Sequence, residues 1–184
     1  MTDLNALPEG LPAPADDGAG TCFLGVRFPA VKLQATTGQS VDISALSGTN
    51  VIYCYPLTGR PGLSLPDGWD DIPGARGCTP QSCAFRDHYQ ELRSLGADVF
   101  GISTQPTDYQ REVVERLHLP YALLSDAGMA LVHALKLPTF QAGTMTLLKR
   151  LTLIVANGVI VKVFYPVFPP DKNAGDVVAW LKQS

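Results

Sequence analysis

The chain has 184 residues, of which 46% are hydrophobic and 17% are charged. This balance is typical of one globular domain that can bury a sizeable core. The formal net charge is −3 and Lys and Arg are not clustered, which argues against nucleic acid as a partner because duplex binding depends on such clusters. The longest apolar runs, such as Leu151–Ala156, are too short to span a bilayer, so no membrane partner is expected.

Residues 1–20 are rich in Pro, Gly, Ala and Asp and lack the positive n-region and continuous apolar h-region of a signal peptide. We interpret them as a flexible N-terminal arm, followed by a single domain over residues 21–184. The cytoplasm is therefore the default location. In such a reducing compartment the four cysteines should be thiols, so a close pair favours a catalytic over a structural role.

The first half of the domain predicts two strand regions, a loop and a helix. Residues 31–43 alternate apolar and polar side chains around a Thr37-Gly38 turn, which indicates a β-hairpin. Residues 51–55 are a short, mostly apolar run that ends at a proline, as a buried central strand would. Residues 57–77 are rich in Gly and Pro and predict a long loop, whereas residues 80–95 have one apolar helical face and stop at a glycine.

The second half continues this alternation of strands and helices and ends with a hairpin and a helix. Strands are predicted at 99–103 and 121–124, helices at 108–117, 129–135 and 174–181, and a hairpin at Leu151–Ala156 and Val159–Phe164 around Asn157-Gly158. The pattern predicts an α/β domain with a mixed central sheet flanked by helices. A thioredoxin-like arrangement fits this order without being required by it.

The segment from Gly77 to Cys83 carries the chemistry. Thr79 is a good N-cap and Pro80 a good first helical residue, so Cys78 is predicted immediately before a helix N-terminus. Free backbone N–H groups and the helix dipole there favour a thiolate, whereas an ordinary thiol is only a few per cent ionised at neutral pH.

A cation should assist this ionisation, because a helix end alone typically supplies about 0.3–1 kcal/mol. Arg76 and Arg86 are near Cys78 in sequence, and Arg150 is a candidate from elsewhere in the chain.

Cys83 follows Cys78 by five residues and is predicted one turn inside the same helix. Two Cα atoms must approach within about 7 Å to form a disulfide, so the first turn must unwind before the sulfurs can bond. Such a disulfide would be labile, as catalytic ones are. The alternative from the residues alone is two small apolar side chains that happen to be cysteine. Zinc is disfavoured because the spacing is not C-x2-C and the three histidines show no ligand pattern.

Several segments resemble the peroxiredoxins, most closely the Q-type group, also called bacterioferritin comigratory proteins. They are GCTPQSCAFRD at 77–87, FGIST at 100–104, LLSD at 123–126, and Arg150 before the last hairpin. The resemblance implies a thioredoxin fold, with Cys78 as peroxidatic cysteine, Cys83 as resolving cysteine, and Arg150 holding the thiolate and the peroxide. It also implies no cofactor, thioredoxin or glutaredoxin as reductant, and a monomer or weak dimer. Lys149 is the alternative to Arg150, and period-2 alternation would aim the two side chains at opposite faces. Arg150 is favoured because it directly precedes the predicted strand, as the arginine of the family does.

The chain departs from the family motif before the peroxidatic cysteine. Ala75 stands where the family has a Thr or Ser hydroxyl that orients the peroxide, and the loop after Pro56 is longer than usual. One interpretation keeps Pro56 and Thr58 at the strand end as substrate-binding residues, together with Gly77. Another has Pro73 closing the pocket while backbone N–H groups bind the peroxide.

The function predicted is reduction of hydrogen peroxide and organic hydroperoxides through a sulfenic acid and an intramolecular Cys78–Cys83 disulfide. One alternative is a thiol–disulfide oxidoreductase, which the C-x4-C spacing disfavours because such enzymes use C-x-x-C. The other is a redox sensor with weak peroxidase activity, which the absent hydroxyl at Ala75 motivates.

Overall fold

A seven-stranded mixed sheet forms the centre of the computed structural model, which describes Leu4 and residues 6–183. The strand order is β2-β1-β5-β4-β3-β8-β9, with β6 and β7 as a separate hairpin. The strands are β1 (Lys32–Ala35), β2 (Ser40–Asp42), β3 (Thr49–Cys54), β4 (Ala97–Ser103), β5 (Leu123–Ser125), β6 (Thr139–Ala142), β7 (Met145–Leu148), β8 (Leu151–Ala156) and β9 (Val159–Phe164).

Parallel and antiparallel pairs coexist in this sheet, as the mixed-sheet prediction requires. Strand β4 pairs in parallel with β3 and β5, whereas β8 runs antiparallel to both β3 and β9. The central strands β3, β4 and β8 are mostly apolar and buried, because helices or loops cover both faces.

Five α-helices in the described part of the chain pack around the sheet. They are α1 (Cys78–Asp87), α2 (Tyr89–Ser94), α3 (Thr107–Leu117), α4 (Ala130–Leu135) and α5 (Asn173–Leu181). Helices α1, α2, α3 and α5 contribute to one apolar core and α4 to another on the opposite face. No helix in the described part of the chain is long and apolar enough to cross a membrane.

Three local predictions differ from the structure. The predicted helix over 80–95 is two helices, α1 and α2, separated at His88, whose backbone leaves helical geometry at φ −90° and ψ 2°. The β6–β7 hairpin was not predicted, because its strands are short and one face packs under the loop at 57–77. Helix α1 begins at Cys78, two residues earlier than expected.

The loop at 57–77 builds a third, small core with the β6–β7 hairpin. Trp69 and Ala75 of the loop are buried with Ala142 and Leu147 of the hairpin, and Leu65 packs against this cluster. The loop therefore folds back over the edge of the molecule that carries the start of α1.

The described part of the predicted N-terminal arm lies against the same edge. The Gly74 N–H donates to the carbonyl of Pro12 at 3.4 Å, and the Asp17 carboxylate accepts from Lys149 at 2.7 Å and Tyr165 at 2.8 Å. These hydrogen bonds hold the Asp17 pKa low, at about 2. Residues 1–3 and 5 of the arm lie outside the described residues, and its flexibility and its boundary with the domain stay predictions.

Candidate active site

Cys78 is the first residue of α1 and its side chain is buried. Gly77 caps the helix in the left-handed region, at φ +103°, and its carbonyl accepts from the Gln81 N–H at 3.0 Å. Glycine suits this position because a Cβ would stand 2.7 Å from the Leu7 side chain and against Pro170. The prediction of Thr79 as N-cap was wrong, because the left-handed Gly77 starts the helix two residues earlier and places Cys78 in the first turn.

Arg150 reaches the sulfur of Cys78 from the start of β8. Its Nη2 donates to Cys78 Sγ at 3.2 Å and also approaches the carbonyls of Gly74, Ala75 and Arg76 at 3.1–3.3 Å. The guanidinium is 4% exposed, so its charge acts on the sulfur with little screening by water. A thiolate at Cys78 is therefore stabilised both by the first-turn N–H groups and by a fixed cation.

A chain of buried side chains fixes the orientation of Arg150. Its Nη1 donates to Gln81 Oε1, and Gln81 Nε2 donates to Asn173 Oδ1 at 3.0 Å. Thr152, on β8, donates to the same Asn173 oxygen at 2.7 Å. Sequence analysis missed Gln81 and Asn173. Gln81 lies within the GCTPQSC segment, on the buried face of α1. A polar side chain at such a position could have indicated a role in the site.

The other candidate cations are paired with other groups. Arg76 pairs with Asp70 at 3.3 Å, and Lys149 pairs with Asp17. Arg86 donates to the Leu117 carbonyl at 2.9 Å and acts electrostatically on Cys83. The structure thus brings Arg150 rather than Lys149 to Cys78, as the position of Arg150 before β8 suggested.

A small cavity lies beside Cys78, and the loop and the arm both cover it. About 10 Å³ of it is open to the centre of a water molecule, which is about the space that one water needs. Its lining includes the start of α1 together with Leu4, Leu57, Gly59, Leu65, Trp69 and Arg76. Apolar side chains of the loop and the arm and polar atoms of Arg76 and the backbone together line the cavity, and Cys78 itself is 2% exposed.

Among the described residues that line this cavity, the one hydroxyl side chain is that of Thr79, in α1 itself, and no other hydroxyl replaces the one that is absent at Ala75. The Ala75 carbonyl lies 3.6 Å from Cys78 Sγ and accepts from Arg150 at 3.1 Å. A backbone acceptor, the Ala75 carbonyl, and a guanidinium donor, Arg150, thus contact the sulfur on this side. Pro73 is not at the cavity; it lines a separate pocket of about 350 Å³ between the arm and the loop.

Thr58 follows Pro56 at the end of β3, and both are fully covered. The backbone N–H and the hydroxyl of Thr58 both donate to Gln105 Oε1 at 3.0 Å, and Gln105 Nε2 donates back to the Thr58 carbonyl at 3.3 Å. The hydroxyl proton is therefore used on Gln105, and no hydrogen bond joins Thr58 to Cys78 among the described residues. The geometry indicates that Thr58 holds the turn carrying Leu57 and Gly59 against the sulfur.

Cys83 lies half-buried inside α1, and both it and Cys78 are free thiols. Ideal helix geometry separates residues five apart by ~8.7 Å between Cα atoms, beyond the disulfide limit of about 7 Å. Burial raises the pKa of Cys83, with Asp87 adding to this, while Arg86 and Arg116 oppose it. Cys54 is buried in β3, where burial raises its pKa to about 12, and Cys22 is exposed.

This arrangement defines a class of protein. A mixed sheet that presents a cysteine at a helix N-terminus, with an arginine on its sulfur and a second cysteine one turn further on, is the framework of a thiol-based redox domain of the thioredoxin type. Among the described residues, His, Cys, Asp and Glu side chains form no group of three that could hold a metal ion.

Comparison with known proteins narrows the class. A family model described as Redoxin matches residues 24–178. Peroxiredoxin Q, chloroplastic, from Oryza sativa subsp. japonica is 31% identical over 165 residues, which cover 89% of this chain and 68% of the relative. The crystal structure of peroxidoxin BcpB from Mycobacterium tuberculosis superposes with a TM-score of 0.71 and 25% identity, covering 88% of this chain and 97% of that one.

A Xanthomonas campestris bacterioferritin comigratory protein, studied for its alkyl peroxide reduction activity, has the same fold. It superposes with a TM-score of 0.67 at 22% identity, covering 86% of this chain and 96% of that one. The chain belongs to the redoxin family and, within it, to the Q-type peroxiredoxins. The predicted thioredoxin-like fold and peroxidase class are thereby confirmed, and the protein is a thiol-dependent peroxidase.

Proposed function

We propose that Cys78 is the peroxidatic cysteine, that Cys83 resolves it, and that Arg150 orients the thiolate and the peroxide. The observation that carries this assignment is the 3.2 Å contact between Arg150 Nη2 and Cys78 Sγ at the first turn of α1. Of the two cysteines in this helix, Cys78 alone has both a buried cation on its sulfur and the helix N-terminus beside it.

In the first step the Cys78 thiolate attacks one oxygen of the peroxide in line with the O–O bond. A sulfur–oxygen bond forms, the O–O bond breaks, and the leaving oxygen takes a proton to become water or an alcohol. The first-turn N–H groups and Arg150 stabilise the charge that develops on the leaving oxygen, because they are already oriented in a closed site. Cys78 becomes a sulfenic acid.

In the second step the Cys83 thiolate attacks the Cys78 sulfenic sulfur and releases water, which closes the disulfide. Because the two Cα atoms are ~8.7 Å apart in the intact helix, α1 must unwind first. An external dithiol then reduces the disulfide by exchange. We propose thioredoxin or glutaredoxin for this role, in keeping with the thioredoxin-type reductants that peroxiredoxins use.

Organic hydroperoxides are proposed as substrates beside hydrogen peroxide, supported by the alkyl peroxide reduction activity of the Xanthomonas relative. The small cavity beside Cys78 indicates that hydrogen peroxide enters with less rearrangement. The site would then reduce organic hydroperoxides only as fast as the loop and the arm move aside.

Substitution of each cysteine tests the assignment. Cys78→Ser should abolish peroxide consumption, whereas Cys83→Ser should keep one stoichiometric turnover and lose thioredoxin-driven cycling. Both are measured by peroxide loss with and without reductant, with Cys22→Ser as the matched control because Cys22 is exposed and lies outside α1. Turnover retained by Cys78→Ser would overturn the assignment.

The two alternatives are separated by simple assays. A thiol–disulfide oxidoreductase would reduce insulin disulfides faster than it consumes peroxide. A sensor would oxidise at Cys78 no faster than a free thiol of equal ionisation. Fast peroxide consumption with slow insulin reduction is the expected result.

A monomer or weak dimer and a cytoplasmic location complete the proposal. The four free thiols suit a reducing compartment, although the rice relative is named as chloroplastic. Sedimentation at micromolar concentration and fractionation of the source cells test the two statements separately.

A further inference from the structure

Helix α1 is attached to the sheet near Cys83 by two buried tyrosines. Tyr121, just before β5, donates to the main-chain carbonyl of Ser82 at 2.8 Å. Tyr53, on β3, donates to the hydroxyl of the same Ser82 at 3.1 Å. The two phenolic oxygens are 3.1 Å apart, so both tyrosines converge on one residue, the neighbour of Cys83.

All the groups in this cluster are buried. Tyr53 and Ser82 are fully covered and Tyr121 is 7% exposed. Burial raises the pKa of both tyrosines, so each keeps its proton at neutral pH and donates. The Tyr53 ring also stacks on Phe85, the next inward-facing side chain of α1, with centroids 4.5 Å apart.

The position of Ser82 gives this cluster its significance. Ser82 and Cys83 share a peptide unit, so Cys83 cannot travel towards Cys78 while the Ser82 carbonyl stays on Tyr121. The Cys78 end of the same segment is held separately, by Arg150 on the sulfur and on Gln81. Unwinding for the second step must therefore break the tyrosine contacts as well as helix hydrogen bonds.

We propose that Tyr121 and Tyr53 are positioning residues that lock the intact form of α1 and so set the rate of disulfide formation. The inference rests on the proposed function of Cys78 and Cys83. A locked helix lengthens the life of the Cys78 sulfenic acid, during which a second peroxide can oxidise it to sulfinic acid with release of water. The lock thus also sets the peroxide concentration at which the enzyme inactivates itself.

Tyr121→Phe is the principal test, because it removes one hydroxyl and keeps the ring that packs near Tyr53 and Tyr89. Reduced protein is mixed with hydrogen peroxide in the absence of reductant, quenched at intervals, alkylated and analysed by mass. We expect sulfenic acid to form at the wild-type rate and the disulfide to form about tenfold faster, since a buried carbonyl loses its side-chain donor.

Resistance to hyperoxidation of Cys78 is a second readout. General destabilisation of the fold would not increase this resistance. In Tyr121→Phe, about tenfold more peroxide should be needed to convert half of Cys78 to sulfinic acid. Tyr55→Phe is the matched control. It removes the hydroxyl of an adjacent buried tyrosine that interacts with Ser103 and Gln110 and not with Ser82, and should leave both rates unchanged.

Ser82→Ala separates the lock from helix propensity. Alanine favours the helix over serine, so propensity alone predicts slower unwinding and slower disulfide formation. Loss of the bond from Tyr53 predicts the opposite, about threefold faster formation, and this variant also serves if Tyr121→Phe does not fold.

The outcomes distinguish the lock from the function on which it rests. A wild-type chain that forms sulfenic acid but no Cys78–Cys83 disulfide would overturn the proposed second step. Normal disulfide formation in the wild type, at the same rate in Tyr121→Phe and no faster in Ser82→Ala, would overturn the lock alone.

Discussion

Cys78 and Cys83 are in the same helix, more than one turn apart, in contrasting surroundings. Cys78 is closed off from solvent at the N-terminal end of the helix, with the Arg150 guanidinium on its sulfur. Cys83 is half-buried and desolvated, and burial raises its pKa. The folded helix therefore prepares the first sulfur for reaction and suppresses the second, which becomes a nucleophile only after the helix opens.

The largest expected effect comes from removing the cation that distinguishes the two sites. Arg150→Gln should slow oxidation of Cys78 by about 100-fold, the usual order for loss of one preorganised donor. The oxidation rate of Arg150→Lys should lie between those of the wild type and Arg150→Gln, because a lysine keeps the charge but not the planar guanidinium. Stopped-flow oxidation by hydrogen peroxide measures both.

Arg86→Gln is the matched control for this comparison, since Arg86 bonds to the Leu117 carbonyl and acts on Cys83. Its oxidation rate at Cys78 should stay within about twofold of the wild type. A drop in this variant as large as that in Arg150→Gln would show that general positive charge, and not the contact at Cys78, is responsible.

The buried side chains that orient Arg150 should affect the oxidation rate of Cys78 less than Arg150 itself does. Gln81→Ala removes the acceptor of Arg150 Nη1 and should slow Cys78 oxidation about tenfold. Thr152→Val, one link further away through Asn173, should cost about twofold. Equal rates in wild type and Gln81→Ala, in the same stopped-flow measurement, would show that Arg150 needs no such support.

The raised pKa of Cys83 predicts that the second step depends on pH. Burial favours the neutral thiol and the thiolate is the attacking form, so raising the pH increases the reactive fraction. Disulfide formation, followed by the same quench-and-alkylate measurement, should speed up nearly tenfold between pH 7 and pH 8, because a thiol with a pKa of ~8.5 or above is mostly neutral at both. A flat profile would mean that helix opening, and not ionisation of Cys83, limits the step at every pH.

A smaller effect concerns access to Cys78. Leu65→Ala shortens an apolar side chain that lines the cavity and should raise the rate with tert-butyl hydroperoxide about threefold relative to hydrogen peroxide. Leu63 lies on the same loop but is 59% exposed, so Leu63→Ala should not change the ratio of the two rates. An unchanged ratio in Leu65→Ala as well would mean that the loop does not restrict entry.

The sequence is informative where local chemistry decides the structure. Asn157-Gly158 predicts the β8–β9 hairpin with its observed bounds, since this dipeptide suits a tight two-residue turn. The start of α1 shifted by two residues because the left-handed Gly77 is a cap that depends on the loop before it. The position of Arg150 before β8 singled it out, although only the fold brings it to Cys78.

Contacts between distant segments were beyond sequence reasoning. Gln105 takes up the Thr58 hydroxyl, and nothing near either residue in the sequence connects them. Tyr121 and Tyr53 meet Ser82 because β5 and β3 both flank β4 beneath α1. Chemical roles were therefore predictable residue by residue, whereas the partners that hold those residues required the fold.

The placement of Trp69 has a practical consequence for watching this chemistry. Its indole is buried in the wall of the cavity that contains Cys78, and the chain has a second tryptophan only at Trp180, in α5. A Trp180→Phe variant would leave Trp69 as the one tryptophan, and its emission should change when Cys78 is oxidised or α1 opens. The protein would then carry its own optical probe, with which both events can be followed in real time without a label.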